Sequence, residues 1–265
     1  MPELPDVEVA RRHLKRWLVG ATVTAARCGD AYLARPGPVS RFARTFVGRS
    51  VAGVARKGKW LRLELEDGGK VFSHHGMTGD WVRLPVDAGP ARFERARIDV
   101  ARGGKAWSVR YVDARRFGRL VATSDDIDEW TELGPDPLAD GIDVPRLSRL
   151  FAQSRRSVKE ILMDQRVLAG VGNILANEAL WIARLDPRST GEALLAKDAR
   201  AIARGLQAAI RKELGEGTAY RSSGESRFHV YGRGGKPCPR CGHELTSTTL
   251  GGRSTVHCPR CQIRR

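Results

Sequence analysis

An α+β fold in two parts, closed by a small metal-binding module, is predicted by three features of this 265-residue sequence. Short alternating apolar runs between turn residues dominate the first half. Apolar residues at helical spacing dominate residues 145–214, and two Cys-x-x-C pairs lie near the end. The predicted organisation is a β-rich N-terminal domain over 1–123, a linker over 124–144, a helical domain over 145–228 and a four-cysteine finger over 229–265.

Over residues 4–18, Val7, Ala10, Leu14 and Trp17 or Leu18 recur at helical spacing, and Gly20 stops the helix. Residues 21–29 and 50–55 read as short strands, with Pro36-Gly37-Pro38 a loop and 42–46 a short helix. Residues 60–66 alternate strictly, placing Leu61, Leu63 and Leu65 on one face of a half-buried strand. Asp67-Gly68-Gly69 turns it into a hairpin partner at 70–73. Further strands are expected at 97–100, 107–112 and 119–122, giving a sandwich or flattened barrel. The acidic stretch 124–143, punctuated by Gly134-Pro135-Asp136-Pro137, is the expected linker. Helices are expected at 145–152, 157–164, 174–184 and 192–214, the last carrying Leu195, Ala199, Ile202, Leu206, Ile210 and Leu214 on one stripe.

Lys and Arg number 46 against 30 Asp and Glu, a formal charge of +16, which points to a polyanionic partner and above all to nucleic acid. The basic residues are scattered instead of forming one juxtamembrane block, and no apolar run approaches ~18 residues, so neither a membrane surface nor a membrane span is expected. No signal-peptide pattern opens the sequence, and a cytoplasmic setting is expected. Four cysteines in paired spacing suit a metal site in a reducing compartment better than disulfides.

Cys238, Cys241, Cys258 and Cys261, two pairs separated by sixteen residues, have the spacing of a zinc ribbon. Four thiolates close a tetrahedron and leave no place for water, so one structural Zn²⁺ is expected, with His243 and His257 as bystanders. Cys28 reads as a small buried apolar residue. At the other end, removal of Met1 would leave Pro2 a secondary amine; an α-amino group titrates near about 7.7–8 and is a ready nucleophile. Glu3 lies beside it as a proton donor or acceptor. An ordinary N-terminus with Pro5 in the first helical turn fits the same residues. Between the cysteine pairs, Gly251-Gly252-Arg253 reads as a hairpin tip presenting an arginine, either to phosphate or to solvent. Gly170-Val171-Gly172-Asn173 separates two helices and puts Asn173 where a cap, or a phosphate-binding helix end, belongs. Met77 and Phe117 read equally well as core residues.

Pro2-Glu3-Leu4-Pro5, Lys59 within Arg56-Lys57-Gly58-Lys59-Trp60, His74-His75-Gly76-Met77, Asp113-Ala114-Arg115-Arg116-Phe117-Gly118, Gly170-Val171-Gly172-Asn173-Ile174, Val230-Tyr231-Gly232-Arg233 and the four-cysteine finger follow one another in a set order. In this the chain resembles, over its whole length, the formamidopyrimidine-DNA glycosylase / endonuclease VIII family. Leu4-Pro5 and the Arg-Arg-Phe triplet are more similar to the formamidopyrimidine branch. The resemblance implies an N-terminal β-sandwich with the catalytic helix and a C-terminal helix-two-turn-helix domain with a zinc finger. Such a protein acts as a monomer, associated with the nucleoid, on double-stranded DNA containing a damaged base or abasic site. By matching position Pro2 is the nucleophile, Glu3 the acid/base and Lys59 the catalytic lysine. His74, Asn173 and Arg253 grip phosphates, with Arg253 counted in the catalytic set. Met77, Arg115 and Phe117 fill the gap left by an extruded base, Arg116 contacts the DNA backbone, and Lys159 approaches the DNA. The implied activity is that of a DNA-formamidopyrimidine glycosylase and abasic-site lyase, removing formamidopyrimidine and 8-oxoguanine and cutting by β,δ-elimination. Excision of oxidised pyrimidines and non-catalytic binding of damaged DNA are the alternatives. Two departures stand out: Asp6 replaces the usual glutamate, and the segment 220–229, where purine-specific members carry a longer loop over the flipped base, is short.

Overall fold

Helix α1, Leu4–Leu18, forms where the spacing predicts it, with Val7, Ala10, Leu14 and Leu18 all buried. The computed structural model describes residues 2–215 and 228–265. These form two compact units: Asp6–Glu132 together with Pro2, and Leu133–Arg265 together with Glu3–Pro5.

In the first unit, β1 (Thr22–Cys28), β6 (Glu94–Arg102), β7 (Lys105–Val112) and β5 (Asp80–Leu84) form one antiparallel sheet in that order. The other consists of β2 (Val51–Lys57), β3 (Trp60–Leu65), β4 (Lys70–His74) and β8 (Arg119–Thr123). Val23, Ile98 and Val109 of one sheet share a core with Leu61, Leu63 and Val71 of the other, so the architecture is a sandwich. Helix α2, Val39–Phe46, adds Phe42 and Phe46 to that core, their rings 4.9 Å apart. Cys28 is buried, as its composition suggested.

Three details differ from the sequence reading. Strand β5 was not foreseen: it pairs only with β7, and Trp81 alone of its side chains is buried, too little alternation to register. Strand β7 is buried on both faces from Trp107 to Tyr111, with the Arg110 guanidinium donating to Ser108 Oγ at 3.1 Å and to the Ala88 carbonyl of the loop before β6 at 2.7 Å. The acidic stretch includes a short helix, α3 (Asp128–Thr131), whose buried Trp130 meets the Phe72 ring edge-on at 5.5 Å.

The second unit holds α4 (Val144–Ala152), α5 (Val158–Met163), α6 (Asn173–Ile182) and α7 (Ala196–Gly215), then the hairpin β9 (Thr246–Leu250) and β10 (Arg253–His257). Starts follow capping chemistry. Asp143 accepts the Arg146 N–H at 2.9 Å before α4, and Ser157 with Glu160 forms a capping box on α5. Helix α7 begins four residues later than its apolar stripe suggested, because residues 191–193 form a 3₁₀ turn and the Asp198 carboxylate accepts the Leu195 N–H at 3.0 Å. Leu147, Phe151, Ile161, Leu175, Leu180, Ile202 and Leu206 form its core, to which Leu4 also belongs. The short segment 220–229 lies outside the described residues except for Phe228 and His229.

Candidate active site and metal centre

Lys59 is presented by a two-residue hairpin turn. Strands β2 and β3 pair as far as Lys57↔Trp60, leaving Gly58-Lys59 as the turn, and Gly58 at φ +58° gives the first turn residue the left-handed backbone of a type II′ hairpin. The turn is braced to α1 through one carboxylate. Glu8 accepts from Arg11 (2.8 and 2.9 Å), Arg12 (2.9 Å) and the buried Arg56 (3.1 Å), and Arg56 also donates to the Gly58 carbonyl at 3.1 Å. Burial alone would raise the Glu8 pKa, but the three guanidinium groups outweigh it and hold the carboxyl at about 2. Arg56 lies 48 positions from Glu8, so no helical spacing in the sequence marks that pair.

His74 ends β4, and its Nδ1 accepts the Gly76 N–H at 3.0 Å, which assigns the ring proton to Nε2. Burial, reinforced by the positive charges of His75, Lys59 and Arg119, pushes its pKa down to about 3. The ring is therefore a neutral N–H donor at physiological pH.

The loops carrying Met77 and the Arg-Arg-Phe triplet share a single acceptor, the buried Asp113. Its carboxylate accepts from Thr78 Oγ1, the Arg115 N–H (3.1 Å) and the Gly118 N–H (2.8 Å). Met77 is half-buried and Phe117 is 47% exposed, with the Arg115 guanidinium 4.8 Å from the Phe117 ring centroid. An exposed aromatic on a doubly pinned loop has the form of a wedge. Arg116, between them, has φ +58° and turns its guanidinium to Asp30 in a bidentate pair at 2.7 and 3.0 Å. The expected backbone contact by Arg116 would thus compete with Asp30.

In the second unit, Glu3 caps α6. Its buried carboxylate accepts the Ile174 N–H at 2.8 Å and the Leu175 N–H at 3.0 Å, and the Leu4 N–H donates to the Gly170 carbonyl at 3.1 Å. A carboxylate is favoured there because the helix end presents unpaired N–H groups and the positive end of the macrodipole. Asn173 is consequently the first helical residue, and Gly172 holds the cap position that the sequence had suggested for Asn173. A Cβ on Gly172 would lie 2.4 Å from the Glu3 carboxyl. Gly172→Ala should therefore displace Glu3 and lower both thermal stability and catalysis, whereas Gly141→Ala, whose added Cβ meets nothing within 4 Å, should lower stability alone. Wild-type turnover by the Gly172 variant would show that the fit around Glu3 is not required.

Lys159 on α5 is wholly buried, its ammonium donating to the Ser254 carbonyl at 3.0 Å and to Thr255 Oγ1 at 2.6 Å. The sequence-based expectation that it approaches DNA is corrected to that extent: the side chain holds strand β10. Burial lowers its pKa to about 8, with Arg253 adding to the effect and Glu3 and Glu160 opposing it. Because the folded value lies below the unfolded 10.5, the unfolded chain binds more protons between those limits. Stability from this group therefore rises with pH through that window. The difference in Tm between wild type and Lys159→Met should shift in favour of wild type as pH rises from 8 toward 10.5; a constant difference would contradict the buried ammonium.

Asn173 Nδ2 donates to the same Ser254 carbonyl at 3.0 Å, and Asn177 Oδ1 accepts the Val256 N–H at 2.8 Å, so three side chains register β10 on the helices. Gly251 and Gly252, both at positive φ, form the hairpin turn; Arg253 is the first residue of the returning strand, exposed, instead of its apex. Glu178, which sequence reasoning passed over, accepts the N–H groups of His229 (2.9 Å), Val230 (2.9 Å) and Tyr231 (3.0 Å), anchoring the Val230–Arg233 motif. Only its neighbourhood to Asn177 in an otherwise apolar helix hinted at a role.

The Sγ atoms of Cys238, Cys241, Cys258 and Cys261 all lie within 4.8 Å of one another. Tetrahedral zinc with thiolates at about 2.3 Å sets sulfurs about 3.8 Å apart, so the set fits one ion after slight contraction. Arg240 N–H (3.5 Å) and Cys261 N–H (3.4 Å) point at Cys238 and Cys258 sulfurs, as donors that stabilise bound thiolates. Zinc there is structural, tying the two knuckles together. His243 and His257 are outside the cluster.

One unit with a carboxylate-capped helix bearing a finger, and another built as a β-sandwich with an exposed aromatic on a pinned loop, define a DNA-binding protein of the helix-two-turn-helix and zinc-finger class. Family models for the formamidopyrimidine-DNA glycosylase N-terminal domain, the formamidopyrimidine-DNA glycosylase H2TH domain and the zinc finger found in FPG and IleRS match residues 1–120, 133–223 and 235–263. The chain belongs to the formamidopyrimidine-DNA glycosylase family. It is 37% identical to a formamidopyrimidine-DNA glycosylase of Corynebacterium aurimucosum, covering 100% of this chain and 97% of that one, and 36% identical to one of Roseiflexus sp., covering 99% and 100%. Among solved structures it matches Lactococcus lactis Fpg in complex with abasic-site DNA (TM-score 0.90, 26% identity, 99% and 100% of the chains). It also matches MutM in complex with DNA containing carbocyclic 8-oxo-G (TM-score 0.90, 27% identity, 99% and 100%). Among the described residues, no helix is long and apolar enough to cross a membrane.

Proposed function

We propose that this chain is a base-excision repair enzyme that removes formamidopyrimidine and 8-oxoguanine from double-stranded DNA and then cuts the strand at the abasic site. The observation that carries the reading is the seating of Glu3, a buried carboxylate fixed by two helix N–H groups one residue from Pro2. With Met1 removed, the Pro2 nitrogen attacks the sugar C1′ and the base departs with a proton; the C1′–O4′ bond then breaks, O4′ takes up a proton as the sugar ring opens, and a C1′ iminium forms. The iminium acidifies the C2′ protons; Glu3 serves as acid and base, the 3′ phosphate leaves in β-elimination and the 5′ phosphate in δ-elimination. Lys59 is assigned to the scission phosphates. His74, Asn173 and Arg253 are assigned to phosphates around the lesion, and Met77, Arg115 and Phe117 to the gap left by the extruded base. For His74 the neutral ring supports a directional contact. Arg116 reaches the backbone only by leaving Asp30. Lys159 acts through strand β10.

The division into a sandwich domain over 1–123, linker, helical domain from 145 and finger from 229 follows the same roles. The charge of +16 supports a monomer bound to nucleoid DNA in the cytoplasm. Single-turnover excision on duplexes carrying formamidopyrimidine, 8-oxoguanine, thymine glycol or 5-hydroxyuracil, with borohydride trapping, tests the assignment. Trapped adduct and fastest release of the two purine lesions are expected. Faster release of both pyrimidines would overturn the substrate, and cutting of abasic sites without base release would leave only the lyase half.

A further inference from the structure

Resting on that functional reading, we propose that Tyr111 is a positioning residue for base extrusion: its buried hydroxyl holds the loop of His74 and Met77 against the loop of Phe117. The ring sits in the sandwich core, opposite Trp81 in the pairing of β5 with β7 and edge-on to it at 5.1 Å. A phenyl ring would fill that space equally well. The oxygen is what the core does not need, since burying a hydroxyl is costly unless it finds a partner. Its partner belongs to the other sheet: the hydroxyl donates to the His74 carbonyl at 3.0 Å, at the end of β4. Burial, with the Asp113 and Asp80 carboxylates adding to it, holds the phenol pKa well above its ordinary 10, so the group stays a donor at neutral pH.

The two loops close on that oxygen through glycines. A Cβ on Gly79 would lie 2.0 Å from it and a Cβ on Gly118 1.9 Å, so both backbones lie directly against the hydroxyl. They also meet each other: Gly76, at φ +59°, would place a Cβ 2.3 Å from the Phe117 carbonyl oxygen. Two positions beyond Tyr111, the Asp113 carboxylate accepts from Thr78 Oγ1 of the first loop and from the Arg115 and Gly118 N–H groups of the second. One strand end thus clamps both loops, the phenol at His74 and the carboxylate at Thr78. An apolar wedge replaces lost stacking only while its loop resists being pushed back. Phe117, exposed over almost half its surface, has little packing of its own to resist with, so the resistance has to come from beneath the loops.

Tyr111→Phe removes one oxygen, and Gly118→Ala presses on that oxygen from the loop. Each is compared with wild type in thermal midpoint, in single-turnover release of 8-oxoguanine and in cutting of a preformed abasic site. A fourth readout is the fluorescence of 2-aminopurine beside the lesion, which rises when the wedge unstacks it. Tyr111→Phe should slow base release about tenfold, the scale of a lost buried hydrogen bond. Abasic-site cutting should slow less than about threefold, since no base has to be displaced there. The 2-aminopurine rise should shrink in both variants. The double variant should lose less than the product of the two single losses, because removing the oxygen gives the added methyl group room. Wild-type base release and fluorescence in Tyr111→Phe would overturn the proposal. So would an equal loss on both substrates that follows a lowered thermal midpoint, since that assigns the hydroxyl to stability alone. Failure of the wild-type protein to form a borohydride adduct would instead overturn the functional reading, and the positioning role with it.

Discussion

Glu3→Gln lowers single-turnover base release by about 10²–10⁴-fold, the range for loss of a positioned general acid/base. The substitution preserves shape, so the effect has two separable sources. Chemically, an amide neither takes nor gives the proton that base departure and C2′ deprotonation require. Structurally, Ile174 and Leu175 both present N–H groups to the side chain, and glutamine can meet only one of them with an oxygen. The other then faces an NH₂, donor against donor, and the helix end loses its anion. Thermal stability should fall by about 1–3 kcal/mol for the unsatisfied donor. Glu3→Asp keeps the charge on a stem one methylene shorter and should recover part of the stability and less of the rate. Pro2→Gly, assayed beside it, should reduce the borohydride adduct, because a primary amine replaces the secondary one. Mass spectrometry of the intact chain checks that Met1 has been removed first. Release within threefold of wild type by Glu3→Gln would rule out its acid/base role.

Cys238→Ser should release the zinc and sharply weaken DNA binding while leaving the first unit folded. Beyond the thiolates, the finger's own core amounts to Val230, Leu245 and Val256 packed on Trp181, too little apolar area to hold it. A four-thiolate zinc contributes about 10–16 kcal/mol in isolated finger peptides, so the metal decides whether the finger is formed. The consequences reach the helices, because Lys159 and Asn173 both donate to Ser254 on β10. Without that strand the buried ammonium is left unpaired, and Arg253 loses the hairpin that fixes its direction. Metal content by atomic absorption, DNA affinity, and the near-ultraviolet signal of the sandwich tryptophans are the three readouts. Lost DNA binding with zinc retained would contradict the account.

Local rules were legible where periodicity repeats or a spacing is chemically exclusive. The α1 stripe, the Leu61, Leu63 and Leu65 alternation and the paired cysteines each satisfy a constraint written within a few residues of the chain. Strand β5, with one buried side chain, and the late start of α7, set by Asp198, carry too few repeats to be read this way. The candidate site residues were picked out by ordered motifs, but their states were not. Glu3 beside Pro2 looked like a free partner for the amine; the structure makes it the cap of α6 as well, through N–H groups 171 and 172 positions away. Lys159 looked like a DNA contact and is a buried tie to the finger; Arg116 looked like a contact to the DNA backbone and its guanidinium is paired with Asp30. The sequence by itself determined the element types, the four-thiolate zinc ligand set and the family, because helical and strand periods and a Cys-x-x-C pair are local, covalently enforced patterns. Only the tertiary structure decided which charges are buried, which N–H groups meet which carboxylates and where an aromatic ring is left exposed. Those depend on desolvation and hydrogen bonding between residues tens to hundreds of positions apart, and no local pattern records them.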